Sequence, residues 1–315
     1  MRFRNERGQS MVLTFVFLIV LMAMSAAVID VGSWYKAHRS AQSTADAAAL
    51  AGAQGLTSTQ EATALAQDYA AKNGGGLRPG DGIQFSSRYM ANDTISVHIE
   101  RPAPGFFAKL FGFASVTVGG RAQARAYVVT SAKHVAPITV NYKHNLLNCT
   151  RNKNPVCNPT YGVSTTLNLQ DIHQPGGGDA AGSFGLINLD PNDNGNVGSQ
   201  ILADWLTNGY PNEMPLGQYQ SATGANFGTS LFRAALDSVL NEEVLFPVYR
   251  LLNGPGVNAR YDIIGWVGFY IRSYDIQGST GTLTGEFSRY VAEGLPATGG
   301  NQPPDLGAHE IELTN

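Results

Sequence analysis

The sequence predicts an α+β protein. A long N-terminal transmembrane helix continues outside the membrane and leads into a small α/β membrane-proximal domain and a β-rich distal domain. Three observations support this fold class: an uncharged apolar run near the N-terminus, strand-like alternation over much of the remaining chain, and a composition rich in glycine and poor in charge. Charged residues make up 14% of the chain, against roughly 25% in typical soluble proteins. The net charge of −3 lacks the basic surface that nucleic acid binding needs, so we exclude that class of partner.

The apolar run predicts a single membrane span. Residues 11–29 carry no charge and would form a helix about 28 Å long, close to the ~30 Å core of a bilayer. Arginines at positions 2, 4 and 7 precede the run, so the positive-inside rule places the N-terminus in the cytoplasm. Cleavage by a signal peptidase after Ala27 is an alternative, since Ser25 and Ala27 supply the small residues it needs. However, the run exceeds the roughly 7 to 15 apolar residues of a signal peptide, and the helical pattern continues past that site.

The helical pattern extends to about residue 54. Alanines recur at every fourth position, and small side chains in such a row let another helix approach closely. This predicted helix-packing face consists of Ala37, Ala41, Ala45, Ala49 and Ala53. Helix propensity, which is highest for alanine, is the alternative explanation of the row.

Four pieces of the N-terminal segment form a recognisable pattern. They are RGQ at residues 7–9, IDVG at 29–32, the aromatic Tyr35, and the string ADAAALAGA at 45–53. Together they resemble the TadE/TadG-like family of tight-adherence (Flp-type) pilus assembly over residues 7–54. A weaker resemblance to TadG-like C-terminal halves involves GSFGLINLD, FPVY and IIGWVGFYI.

The resemblance implies a structural or assembly protein of a pilus or a related envelope secretion system. Such a protein is anchored in the bacterial inner membrane, displays its C-terminal domain outside the cytoplasm and acts by protein–protein contact. Its expected partners are other pilus-assembly or pseudopilin proteins, and no small-molecule substrate is expected.

The TadE branch of this family contains pseudopilins, which are cleaved after a glycine that is followed by a glutamate five positions later. Gly8 is the matching glycine, but Leu13 occupies the position of the glutamate. A carboxylate there would pair with the N-terminal amine of a neighbouring subunit, which leucine cannot do. We therefore expect an uncleaved TadG-like anchor, with a minor pseudopilin processed after Gly8 as the alternative.

The remaining chain is divided by changes in composition and periodicity. The predicted segments are a cytoplasmic N-terminus at 1–10, the transmembrane helix at 11–31, its continuation at 32–54, an α/β domain at 55–130, a β-rich domain at 131–295 and a loose tail at 296–315. In the α/β domain we expect helices at 57–73 and 104–113, and strands at 83–89, 94–100 and 115–129, with a bulge at Gly119 and Gly120. In the β-rich domain we expect helices at 199–208 and 228–241 and a central strand at 261–274.

The predicted short helix at 104–113 is rich in large apolar side chains. We expect them in the core of the α/β domain, with contact at the bilayer surface as the alternative. They are Phe106, Phe107, Leu110, Phe111 and Phe113.

Two smaller patterns concern covalent and metal chemistry. Cys149 and Cys157 are the two cysteines of the chain, and outside the cytoplasm this close pair predicts a disulfide. Asp190, Asn192 and Asn194 match the first half of a calcium loop. The acidic ligand expected at the twelfth position is missing, so a plain turn is preferred, Ca²⁺ is the alternative, and no other cofactor is expected.

No motif for catalysis is present in the sequence. The chain has no G-x-S-x-G nucleophile elbow and no histidine pair at metal-ligand spacing. The dipeptide at His309 begins a zincin-like string, but Leu313 stands at the position of the second ligand. We therefore expect a protein that is not an enzyme, with a membrane-anchored extracytoplasmic hydrolase or ligand-binding protein as the alternative.

Overall fold

The computed structural model describes residues 7–169, 183–191, 197–254, 258–277, 280–299 and 302–314. A long apolar N-terminal helix precedes a β-rich region with further helices, which confirms the predicted α+β class. The chain divides into two compact units. Unit 1 comprises Met1–Arg125 and Glu312–Asn315, and unit 2 comprises Ala126–Ile311.

Unit 1 is built from two helices and an antiparallel meander. Helix α1 spans Arg7–Gln54 and helix α2 spans Thr59–Gly74. The strands are β1 at Gly82–Ser86, β2 at Thr94–Pro104 and β3 at Ser115–Ala132, of which β3 enters unit 2 at Ala126. A single 3-10 turn at Ala108–Phe111 stands between β2 and β3, where a helix over 104–113 was predicted.

Helix α2 begins and ends at residues that favour helix termini. The Ser58 hydroxyl accepts the N–H of Glu61 at 3.3 Å, and Gly75 ends the helix in the left-handed conformation at φ +82°. Between these ends, Ala62, Ala66 and Ala70 are fully buried. The alanine face of α2 therefore packs along the C-terminal half of α1.

The turn between β1 and β2 is organised by the buried side chain of Asp93. Its carboxylate accepts the N–H groups of Arg88 (3.0 Å), Tyr89 (2.6 Å) and Met90 (2.9 Å), together with the Thr94 hydroxyl (2.7 Å). Burial alone would raise the pKa of Asp93, but these hydrogen bonds hold it below its usual value. Because the chain turns over this carboxylate, β1 ends at Ser86, before the predicted end at 89.

The predicted bulge at Gly119 and Gly120 is wrong. The β2–β3 register runs without a shift through both glycines, opposite Glu100 and Ile99. Gly120 instead lies against α1, where an added Cβ would come within 2.5 Å of the Ala41 carbonyl carbon. The glycine therefore permits the strand to lie directly on the helix backbone.

Among the described residues, unit 2 contains two α-helices and eleven further strands, the last of which, β14, re-enters unit 1 at Glu312. The strands are β4 Ile138–Asn141, β5 Ser164–Leu169, β6 Ser183–Leu186, β7 Met214–Pro215, β8 Gly217–Gln220, β9 Glu243–Asn253, β10 Arg260–Gln277, β11 Thr280–Ser288, β12 Tyr290–Val291, β13 Gly294–Pro296 and β14 Ala308–Leu313. The helices are α3 Ser199–Asn208 and α4 Ser230–Ser238.

The main sheet of unit 2 closes on itself. Its order is β11-β5-β6-β4-β9-β10-β8, and β10 also pairs with β11. Closure is possible because the 18-residue β10 pairs with β9 as far as Tyr270 and with β11 from Gly268 onward. Phe269 lies in the interior, with its ring centroid 5.2 Å from those of Phe246 and Phe287. β10 is the central strand predicted at 261–274.

The C-terminal segment differs from the loose tail that its polar composition predicted. Strand β14 pairs in parallel with β12, and both Leu306 and Ala308 are buried. The Asp305 carboxylate accepts the N–H of Gly307 at 2.9 Å and lies 2.8 Å from His309 Nε2. These apolar and polar contacts fix a segment that shows little hydrophobic periodicity.

Candidate functional site

The N-terminal part of α1 exposes a continuous apolar surface. The large apolar side chains from Met11 to Val31 are between 46% and 79% exposed. Among the described residues, α1 is the one helix that is long and apolar enough to cross a membrane. Soluble proteins rarely expose an apolar patch of this size, so the helix fits a single-pass membrane protein.

At the end of this apolar surface, Asp30 is buried under the connection between β2 and β3. The residue is 3% exposed, and its carboxylate accepts three backbone N–H groups. The distances are 2.7 Å from Phe106, 3.0 Å from Phe107 and 2.5 Å from Ala108. The carboxylate therefore satisfies the donors that open the 3-10 turn, as an acidic N-cap does for a helix.

Three more side chains of α1, each four residues further on, also bond to the backbone of the β2–β3 hairpin. The indole N–H of Trp34 donates to the Pro104 carbonyl at 3.2 Å. His38 Nδ1 lies 2.7 Å from the Gly119 carbonyl, which makes Nδ1 the protonated nitrogen. We call Asp30, Trp34, His38 and Gln42 the polar row.

Gln42 makes the most specific contact of the polar row. Its amide nitrogen donates to the Arg121 carbonyl at 2.7 Å, and its amide oxygen accepts the Arg121 N–H at 3.1 Å. Because the Gln42 amide both donates to and accepts from the backbone of one residue, it fixes the position of strand β3 on helix α1. Sequence reasoning missed the polar row, although its i, i+4 spacing was visible, because the backbone groups that it bonds lie far away in the chain.

The predicted helix-packing face has a partner within the chain. Ala41, Ala45, Ala49 and Ala53 are fully buried, and Ala37 is partly buried. Ala41 lies against Gly120 of β3, where an added Cβ would be 2.5 Å from the Ala41 carbonyl carbon, whereas Gly52, beside the row, lies against Ala66 of α2. Four of the five alanines are therefore covered within unit 1, and the packing of another helix on the row stays a prediction.

The five large apolar residues predicted in the core are instead on the surface of unit 1. Phe106, Phe107, Leu110, Phe111 and Phe113 are between 40% and 81% exposed. Since a 3-10 turn replaces the amphipathic helix, no face of the segment turns inward. The core prediction is wrong for these residues.

The other predicted site residues lie outside this arrangement. Gly8 is in the first turns of α1, and the side chain of Leu13 is exposed. In unit 2, Cys149 and Cys157 form the predicted disulfide, with an Sγ–Sγ distance of 2.03 Å. Asp190 follows β6, whereas Asn192 and Asn194 fall outside the described residues, so the calcium alternative stays a prediction.

A second polar cluster lies before β14. Among the described residues, no three or more His, Cys, Asp and Glu side chains form a group that could hold a metal ion. The His309–Asp305 pair of unit 2 has a buried imidazole and fixes the segment before β14. Burial would raise the pKa of Asp305, but the His309 ring and the Gly307 N–H keep it below its usual value.

Comparison with known proteins gives one match. Residues 8–55 match the model of the Tad family, described as putative Flp pilus-assembly TadE/G-like. No curated protein and no solved structure matches the chain. The matched residues coincide with α1, so the N-terminal resemblance is confirmed, whereas the resemblance of the C-terminal half stays a prediction.

Proposed function

We propose that this chain is a membrane-anchored structural or assembly protein of a tight-adherence (Flp-type) pilus or a related envelope secretion system. Its helix α1 is the TadE/G-like pilus-assembly module. The chain acts by protein–protein contact and is not an enzyme. The observation that carries the proposal is the coincidence of the family match at residues 8–55 with a single helix. The first part of that helix fits a membrane span, and its second part is the core of unit 1.

The structure supports a mechanical role because no linker separates the apolar segment from unit 1. Asp30 follows the uncharged run directly and already bonds to the β2–β3 hairpin. From there to Gln54 the helix extends about 37 Å at 1.5 Å per residue and stays packed against α2 and the sheet. A force or displacement applied to unit 1 would therefore pass into the membrane helix without being absorbed by a flexible joint.

The orientation follows from the charges around the span. The arginines before residue 11 hold the N-terminus in the cytoplasm by the positive-inside rule, so the chain that follows residue 31 faces outward from the bacterial inner membrane. An extracytoplasmic location also suits the Cys149–Cys157 disulfide.

The partners in this proposal are other pilus-assembly or pseudopilin proteins. Because four of the five alanines of the row are buried and all five follow the span, contacts within the membrane would use the exposed surface of residues 11–31. Photo-crosslinking in cells tests this directly. A photoreactive amino acid at Phe17, whose side chain is exposed, should yield crosslinks to pilus-assembly proteins that mass spectrometry identifies.

Two outcomes of that experiment decide the proposal. Crosslinks that disappear in cells lacking the other pilus proteins support it. Crosslinks to none of these proteins, in cells that are assembling pili, would contradict it.

N-terminal sequencing separates the anchor from the processed pseudopilin. A chain that keeps Met1 supports the anchor, whereas a mature chain that starts at Gln9 supports cleavage after Gly8. No cofactor is part of the proposed function, and Ca²⁺ at Asp190, Asn192 and Asn194 remains the alternative from the sequence.

A further inference from the structure

The segment between β2 and β3 concentrates exposed apolar side chains. We call residues 105–113 the aromatic loop. Five of its nine residues are large, apolar and exposed, and the loop also carries the exposed Lys109. In a segment surrounded by water, so much exposed aromatic surface is unfavourable, and it marks a site of interaction.

The aromatic loop folds back along the apolar part of α1. Phe107 and Phe111 line one side of an apolar groove of about 200 Å³, whose other side is formed by Ala23, Ala26 and Ala27. At 1.5 Å per residue, Ala27 and Ala23 lie about 3 Å and about 9 Å inside the end of the uncharged run at Ile29. The loop therefore reaches past the end of the apolar run, toward the interior of the span.

Most backbone N–H groups of the aromatic loop have hydrogen-bond acceptors within unit 1, as a segment in lipid requires. A segment in lipid must satisfy its polar backbone groups internally, because no solvent can do so. Three of its amides donate to the buried Asp30 carboxylate. Others donate within the loop or to its neighbour: Gly105 to the Ala114 carbonyl (3.1 Å), Leu110 to that of Phe107 (3.0 Å), Gly112 to that of Lys109 (3.1 Å) and Phe113 to that of Ala108 (3.1 Å).

We propose that the aromatic loop inserts into the outer leaflet of the membrane beside α1 and forms, with the helix, a two-part anchor. The proposal rests on the membrane anchor of the proposed function. Lipid is the occupant favoured by continuity, since the loop's exposed rings extend the same apolar surface that α1 presents to the bilayer. Trp34 lies at the level of the head groups, where indole rings concentrate, and Lys109 can extend its ammonium group to lipid phosphates.

The proposal predicts which side chains contact acyl chains, and a fluorescent probe measures this. The full chain has its two cysteines in a disulfide, so a single introduced cysteine can be labelled with an environment-sensitive dye. The variants are Phe111→Cys in the aromatic loop, Phe17→Cys in the span and Gln67→Cys on the exposed face of α2. Each is reconstituted into vesicles of phosphatidylethanolamine and phosphatidylglycerol that contain lipids with a nitroxide on the acyl chain.

We expect the nitroxide to quench the labels at 111 and 17 to a similar extent and to leave the label at 67 unquenched. Leu110→Cys repeats the loop measurement, so that a folding defect of one variant, detected by a change in the far-ultraviolet spectrum, does not decide the result. If the label at 17 is quenched and the labels at 111 and 110 are not, the aromatic loop does not insert, although α1 still spans the membrane.

Two other outcomes also overturn the proposal. A blue-shifted emission at 111 without quenching by lipid nitroxide means that a second copy of the chain covers the loop. Absence of quenching at 17 means that α1 does not span the bilayer, in which case the proposed function fails together with the loop.

Discussion

Gly120 is the position where strand β3 touches the backbone of α1, and it allows a sharp test of how unit 1 is held to the helix. In Gly120→Ala, the added Cβ would stand 2.5 Å from the Ala41 carbonyl carbon and 2.6 Å from its oxygen. These are main-chain atoms, which cannot rotate away, so strand and helix must separate by about 1 Å to restore van der Waals contact.

The cost of that separation has two parts. Overpacking of a tight interface costs about 1–3 kcal/mol. The paired hydrogen bonds between Gln42 and the Arg121 backbone would also lengthen, and each contributes about 1 kcal/mol. We therefore expect Gly120→Ala to reduce the free energy of unfolding of unit 1 by about 2–4 kcal/mol and its Tm by on the order of 10 °C.

The neighbouring glycine provides a matched control. A Cβ added at Gly119 would lie 3.4 Å from the Ile99 carbonyl oxygen and 3.5 Å from the His98 ring, which are acceptable contacts. Gly119→Ala should therefore stay within about 0.5 kcal/mol of the natural protein. Thermal unfolding of the full chain in phospholipid vesicles, followed by the helical signal in circular dichroism, compares the two. Equal melting temperatures for Gly119→Ala and Gly120→Ala would refute the close packing of β3 on α1.

Three further predictions concern the polar contacts and the disulfide. Asp30→Ala should accelerate hydrogen exchange of the amides of residues 105–113 by about 10-fold or more. The control Asp68→Ala, on the exposed side of α2, should leave their exchange rates unchanged. Equal exchange rates in the two variants would contradict the Asp30 contacts. Folding lowers the pKa of Asp93, so the stabilisation from its carboxylate is present above the unfolded pKa of about 3.9 and is lost as pH falls through the folded pKa. Asp93→Asn should therefore flatten the acid side of the curve of unfolding free energy against pH. An unchanged curve would argue against the Asp93 hydrogen bonds. Joint replacement of Cys149 and Cys157 by serine should lower the free energy of unfolding of unit 2 by about 2–3 kcal/mol, as measured with denaturant. An unchanged free energy of unfolding would contradict a stabilising role of the disulfide.

Features encoded in short stretches of sequence were predictable. The apolar run defined the candidate span because length and absence of charge suffice for it. The helix predicted at 57–73 agrees to within two residues with α2, because the residues that end it, Ser58 and Gly75, act through local helix-cap chemistry. The disulfide followed from two cysteines close together in the chain.

Features that depend on distant parts of the chain were not predictable. The polar row pairs residues that are 70 to 81 positions apart, and nothing near Asp30 or Trp34 indicates the backbone donors of the one or the carbonyl acceptor of the other. The small side chains of the alanine row indicated close packing but not its partner, and at Ala41 that partner is Gly120 of strand β3.

The aromatic loop shows the limit of reasoning from hydrophobicity. A cluster of phenylalanines is equally suited to a protein core and to a membrane surface, since both remove apolar area from water. What separates the two is whether the chain can turn the rings inward. Gly105 and Gly112 flank a turn too short to have an inward face, and that is a property of the local backbone rather than of composition.

We propose that the chain works in pilus assembly as an anchored component. The most direct measurement counts surface pili in cells that lack this protein and are complemented either with the full chain or with residues 32–315 exported behind a cleavable signal peptide. We expect the full chain to restore pili and the exported, unanchored chain not to do so. Full restoration by the unanchored chain, or normal piliation without the protein, would contradict it.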